Sequence, residues 1–123
     1  MSQVALDKFG QLLIKRVRDE AVTDWKMMID GRMKGASAEK VREFLGRLSE
    51  AEKKLFSQLI PGVVDTVLHH LLWTVEQESD LYVGVETDNG IENLREISDG
   101  LPGELYSDEG WIARFSKEHR FLY

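Results

Sequence analysis

The chain has no cysteine among its 123 residues. That absence excludes a disulfide framework, a thiolate zinc centre and a cysteine nucleophile. Proline is scarce, occurring only as Pro61 and Pro102, and the first half is almost free of strand signals. No apolar run approaches the ~18 residues of a membrane span. The longest apolar region, around Val63 to Val75, is broken by Asp65, His69 and His70. The opening residues carry charges from Asp7 onward, unlike the basic start and unbroken apolar stretch of a signal peptide. A cytoplasmic location with no membrane partner is therefore expected. Internal repeats, low-complexity tracts and linkers are absent as well.

Basic residues are missing from one long stretch. Residues 55–94 hold no Lys or Arg and seven Asp/Glu, for a local charge of −7, whereas residues 1–54 carry +3 and residues 95–123 carry −2. The net charge of −6 argues against nucleic acid as a partner, because that binding rests on a basic surface. A concentrated acidic region can steer a basic protein partner. It can equally be a solvated surface that aids solubility.

Sequence motifs that would carry chemistry are also missing. G-x-S-x-G, G-x-G-x-x-G, G-x-x-x-x-G-K-[ST] and H-E-x-x-H do not occur, which removes the nucleophile elbow, both phosphate cradles and the zincin helix. The acidic series lacks the alternating ligands of a calcium loop. No cofactor, metal ligand or catalytic residue is assigned on this basis, and a non-enzyme is the preferred reading.

What is present is a globular composition, 42 % hydrophobic and 31 % charged, in a length that suits one domain over residues 1–123. Leu6, Phe9, Leu13 and Val17 share one helical face, with Asp7, Gln11, Lys15, Arg18 and Asp19 opposite. Beyond Ala21 the stripe moves to Val22, Trp25, Met28 and Ile29, which predicts a bend or a new facing partner near Asp19 to Thr23. Gly31 and Gly35 mark an end and a loop. Ser37 is placed to cap a second helix carrying Val41, Phe44, Leu45 and Leu48. Ser49 with Glu52 forms a capping box for a third helix through Leu55, Leu59 and Ile60. Pro61 predicts a kink or restart before a fourth helix, Val63 to about Glu78, expected to be the most buried segment.

The last third changes character. Leu81 to Glu86 has strand composition and T-D-N-G is a turn, while Ile91, Leu94 and Ile97 favour a short helix. Ser107 is placed to cap a last helix through Trp111, Ile112 and Phe115. The apolar tail, Phe121 to Tyr123, and Trp73 suggest packing on the body or on a second copy, hence a homodimer.

The expected fold is mainly α: a compact bundle of four to five helices with a small irregular C-terminal part that has room for one short β-hairpin. Its core should draw on Phe9, Leu13, Val17, Phe44, Leu48, Leu55, Leu59, Val64, Leu68, Leu71, Leu72, Val75 and Trp111.

Two functional readings follow. The first is a non-catalytic acidic interaction module, of inhibitor, immunity-protein or adaptor kind, that binds a basic protein through Asp65, His69, Trp73, Glu76, Glu78, Asp80, Glu86 and Asp88. The second is a small metal-dependent or acid–base enzyme using Asp65, His69 and Glu76 with C-terminal loop residues such as Asn93, Arg95, Ser98, Asp99 and Glu104. It is weakened by geometry, because His69 and Glu76 lie ~10.5 Å apart along a helix at 1.5 Å per residue and cannot share one metal. On that helix an Asp65–His69 contact one turn apart is the expected local pairing.

Overall fold

Two long rods cross at a buried ion pair, and the C-terminal third wraps the crossing. The computed structural model describes residues 2–118. The first rod runs without a break as α1 (Ser2–Leu12), a π-helical segment (Leu13–Arg18) and α2 (Asp19–Ile29). After the Gly31–Gly35 loop come α3 (Ala36–Leu45) and the second rod, α4 (Glu50–Gln77). The remainder is an antiparallel hairpin of β1 (Gly84–Thr87) and β2 (Gly90–Asn93), then α5 (Leu94–Ile97), a 3-10 turn (Pro102–Leu105) and α6 (Trp111–Phe115). The fold is mainly α, with the hairpin in the irregular part as expected.

The shift of the apolar stripe in the first rod has a definite cause. A π turn closes i→i+5 hydrogen bonds, and the Asp19 amide does donate to the Ile14 carbonyl. The wider turn advances every later side chain around the axis. Arg18 and Asp19, which α-helical phase puts on the wet face, are both buried. The expected bend at Asp19 to Thr23 is thus a change of phase one turn earlier.

α4 forms as one piece. The capping box is present as read: Ser49 Oγ accepts from the Glu52 amide at 3.2 Å and Glu52 accepts from the Ser49 amide at 2.9 Å. Pro61 does not restart the helix, which continues past it to Gln77. It sits buried beside Ile60, where burial offsets the lost backbone bond. Two other expected caps are displaced. Gly35, with φ +115, occupies the N-cap of α3 instead of Ser37, and Gly110 that of α6 instead of Ser107. Ile91 lies in β2, not in a helix; only Leu94 and Ile97 belong to α5.

The core lies where α1, the C-terminal half of α4 and the irregular part meet. Leu6, Leu13, Ile14, Leu68, Leu72, Leu94, Leu101, Leu105, Trp111 and Ile112 form one buried cluster, with Phe9, Val64 and Val75 partly buried against it. Gly10 permits the seating of Trp111, since a Cβ there would stand 2.5 Å from the indole. Gly110 is needed for a tighter reason: a Cβ would meet the Tyr106 carbonyl oxygen at 1.8 Å. Several expected core residues are exposed: Val17, Phe44, Leu55, Leu59 and Leu71. α4 is therefore not the most buried segment. By length and composition it is also apolar enough to cross a bilayer, the one such helix among the described residues. The expected packing of the apolar tail falls outside the described residues.

Candidate functional site

Four of the predicted residues, Asp65, His69, Trp73 and Glu76, lie on α4, and the three polar ones each take a different partner. Asp65 is gripped by Arg18, whose Nε and Nη2 donate to its two carboxylate oxygens at 2.5 and 3.1 Å. Such a two-pronged pair fixes both planes. Arg18 Nη1 donates to Ser116 Oγ at 2.9 Å, and Ser116 Oγ donates to Asp19 Oδ1 at 2.7 Å. The Lys117 amide completes Asp19 at 2.8 Å. This network joins both rods to the C-terminal chain. It corrects the expected Asp65–His69 pairing.

His69 Nδ1 instead lies 2.8 Å from the Tyr106 hydroxyl. Burial, and next the charge of Asp65, raise the Tyr106 pKa above its ordinary value, so the phenol is neutral at physiological pH. Glu76 accepts the Leu101 amide at 2.6 Å and anchors the turn before the 3-10 segment. Asp65, His69 and Glu76 thus do not converge, and among the described residues no group of three or more His, Asp or Glu is placed to hold a metal ion. The loop residues have local tasks as well. Asn93 caps α5 by accepting the Arg95 amide, and Ser98 Oγ donates to Glu104 at 3.0 Å.

Glu78, Asp80, Glu86 and Asp88 are exposed, as is Trp73. The basic residue that follows them, Arg95, is spent on backbone. Its Nη1 donates to the carbonyls of Val75 at 3.2 Å, Glu78 at 2.5 Å and Leu81 at 3.1 Å, closing the C-terminus of α4.

Beside these acids lies apolar surface that sequence reasoning assigned to structure. Tyr82 and Ile91 are 60 % and 66 % exposed. They meet over Gly84, where a Cβ would stand 2.7 Å from Ile91 and 3.0 Å from the Tyr82 ring. Glu86 faces Ile91 across the hairpin, and Leu81 is exposed next to Tyr82. The result is an exposed apolar patch with Glu86 at its edge. The signal that could have found it was Gly84 within a strand pattern, which marks a close approach of side chains.

A separate cavity of about 410 Å³ opens between α2, α3 and α4, lined by Trp25, Val41, Phe44, Leu45, Leu48 and Phe56. Small-molecule sites pair such apolar walls with a few convergent polar groups; this lining has apolar and aromatic side chains alone. Compared with known proteins, the chain matches no family model, no curated protein and no solved structure.

Proposed function

We propose that this protein is a non-catalytic, acidic interaction module that works in the cytoplasm and binds a basic protein, as an inhibitor or adaptor does. The observation that carries the reading is the hairpin patch: Tyr82 and Ile91 exposed on either side of Gly84, with Glu86 opposite Ile91, and Leu81, Glu78, Asp80 and Asp88 exposed nearby in the chain. Aromatic and aliphatic anchors supply affinity, and a rim of one charge supplies steering and selects the partner. Arg95 uses its Nη1 on three backbone carbonyls and offsets only one of the four acids, which stay in excess. Asp65 and Glu76 belong to the internal framework of such a module rather than to its contact surface. The acid–base reading is not carried forward, since its three residues have three separate partners.

The test is affinity capture of the partner in cell extract with the intact protein and with a Glu78→Lys/Asp80→Lys/Glu86→Lys variant. A basic partner should be recovered whose capture falls at least about tenfold between low and high salt. The charge-reversed variant and Tyr82→Ala should each lose it. Capture that is indifferent to salt and to charge reversal overturns the proposal.

A further inference from the structure

Leu55, Leu59, Val63, Val67 and Leu71 recur at every fourth residue of α4, and each is 49 % to 64 % exposed. Successive members shift by ~40° around a helix of 3.6 residues per turn, so they form one slanting ridge. The buried side of the same helix is Ile60, Pro61, Asp65, Leu68 and Leu72. Val63 lies almost diametrically across from that side and faces away from the body, with Leu59 and Val67 ~40° and Leu55 and Leu71 ~80° to either side of it. Between Leu55 and Val75 the only charged residue is Asp65, which is turned inward to Arg18. The five side chains present on the order of 500 Å² of apolar surface, at the upper end of the largest patch on an ordinary monomer. With the intervening Thr66 and His70, the face approaches the ~800 Å² that each partner buries in a standard interface.

We infer that this ridge is the interface of an antiparallel homodimer, α4 against α4, with Val63 on the twofold axis. Three features select a second copy of this chain as the occupant. First, the ridge is its own complement. Leu59 and Val67 lie four residues either side of Val63, and Leu55 and Leu71 eight residues either side. A twofold axis through Val63 therefore sets Leu59 near Val67 of the other copy, and Leu55 near Leu71, using one patch twice. Second, the charge map is reversed end to end. Arg47, Lys53 and Lys54 stand before the ridge, where Glu50 and Glu52 leave them in excess, while Glu76, Glu78 and Asp80 follow it. Antiparallel pairing brings the basic end of each helix toward the acidic end of the other, and it also opposes the helix dipoles. Third, a helix that lies on a membrane surface carries Lys and Arg beside its apolar face, and residues 55–94 have none.

The absence of native cysteine makes the orientation directly testable by cross-linking of the full chain. Under mild oxidation, Val63→Cys should give a disulfide-linked dimer with itself. Leu55→Cys or Leu59→Cys alone should not, but a mixture of Leu59→Cys and Val67→Cys chains should. Sedimentation of the unmodified chain should show a dimer, and Val63→Lys, which sets two like charges on the axis, should raise its Kd by at least about a hundredfold. Because Val63 is exposed, circular dichroism of that variant should match the parent. A chain that stays monomeric, self-linking of Leu55→Cys, or binding of the ridge to phosphatidylcholine vesicles in place of dimerisation would each overturn the inference. The hairpin acids are untouched by these variants, so partner capture and dimerisation fail or succeed separately.

Discussion

The irregular C-terminal third supplies half of the residues of the buried core, whereas α4, the longest regular helix, leaves much of its apolar surface uncovered. Around Trp111, side chains from α1, the C-terminal half of α4, α5, the 3-10 turn and α6 close into one buried cluster. At the other end, α2, α3 and the N-terminal half of α4 bury Val22, Ala38, Leu45 and Ile60 while leaving Phe44 exposed at an open apolar cavity and Leu55 and Leu59 exposed on α4. A short irregular segment has few internal hydrogen bonds to hold it, so it persists only where tertiary contacts fix it. A long helix satisfies its own backbone and can leave one face unused. Regularity and burial are therefore separate properties here: the ridge of α4 is uncovered although regular, and among the described residues the irregular part leaves only Leu81, Tyr82 and Ile91, at the hairpin, exposed of its large apolar side chains.

The largest expected effect tests that contrast directly. Trp111→Ala should cost about 3–5 kcal/mol in urea denaturation, and Leu45→Ala about 2 kcal/mol, the low end for its class, because a cavity already stands beside it. Equal losses would erase the distinction between the two ends. Glycine sharpens it further. Gly→Ala inside a helix ordinarily gains up to ~1 kcal/mol. Gly10→Ala should instead destabilise, since its Cβ would strike the Trp111 ring at 2.5 Å. Gly46→Ala, which meets only the Arg42 and Glu43 carbonyls at 3.3 and 3.5 Å, should stay within about 1 kcal/mol of neutral.

The ion network holds the two ends together, and it ranks next. Arg18→Met leaves Asp65 buried opposite an apolar side chain and should cost about 3–5 kcal/mol. Removing the acid too, in Arg18→Met/Asp65→Leu, should recover much of that loss, because Asp65 is no longer a buried charge and Asp19 keeps its bonds from Ser116 and the Lys117 amide. If the double variant is as unstable as the single one, the contribution of Arg18 lies mainly in its bonds to Ser116 and Asp19 rather than in the pair.

The sequence made the fold class legible, as well as the Ser49–Glu52 capping box, the T-D-N-G turn and the place of Trp111, because each is signalled locally. Arg18 and Asp19 were misplaced because the π turn changes the phase that wheel reasoning assumes constant. The ridge from Leu55 to Leu71 reads as core because periodicity marks an apolar face without saying what covers it. Leu94, Leu101, Leu105 and Ile112 lie in turns and short helices where no period is long enough to count. Of the candidate site, the acids Glu78, Asp80, Glu86 and Asp88 were legible from charge alone. Tyr82 and Ile91 were not, since a strand residue gives no sign of which hairpin face is wet.

The smallest expected effect concerns the tether between the loose end and the C-terminal chain. Glu118 accepts from Lys26 Nζ at 2.5 Å and from Thr23 Oγ1 at 3.1 Å, both on α2. The hydrogen bond from Lys26 is the largest of the influences that hold its pKa below the ordinary 4.5, and burial opposes it. A carboxylate whose pKa is lower folded than unfolded adds stability that is complete above the unfolded value. That stability is lost as pH falls through the folded value. Glu118→Gln should therefore be less stable than the parent at neutral pH by no more than about 1 kcal/mol, the scale of partly exposed pairs. The gap should close as pH drops below the ordinary glutamate range. A gap that persists unchanged into acid would mean that Glu118 acts through packing and shape, and that α2 is held to the C-terminal chain by the Asp19–Ser116–Lys117 bonds without help from this charge.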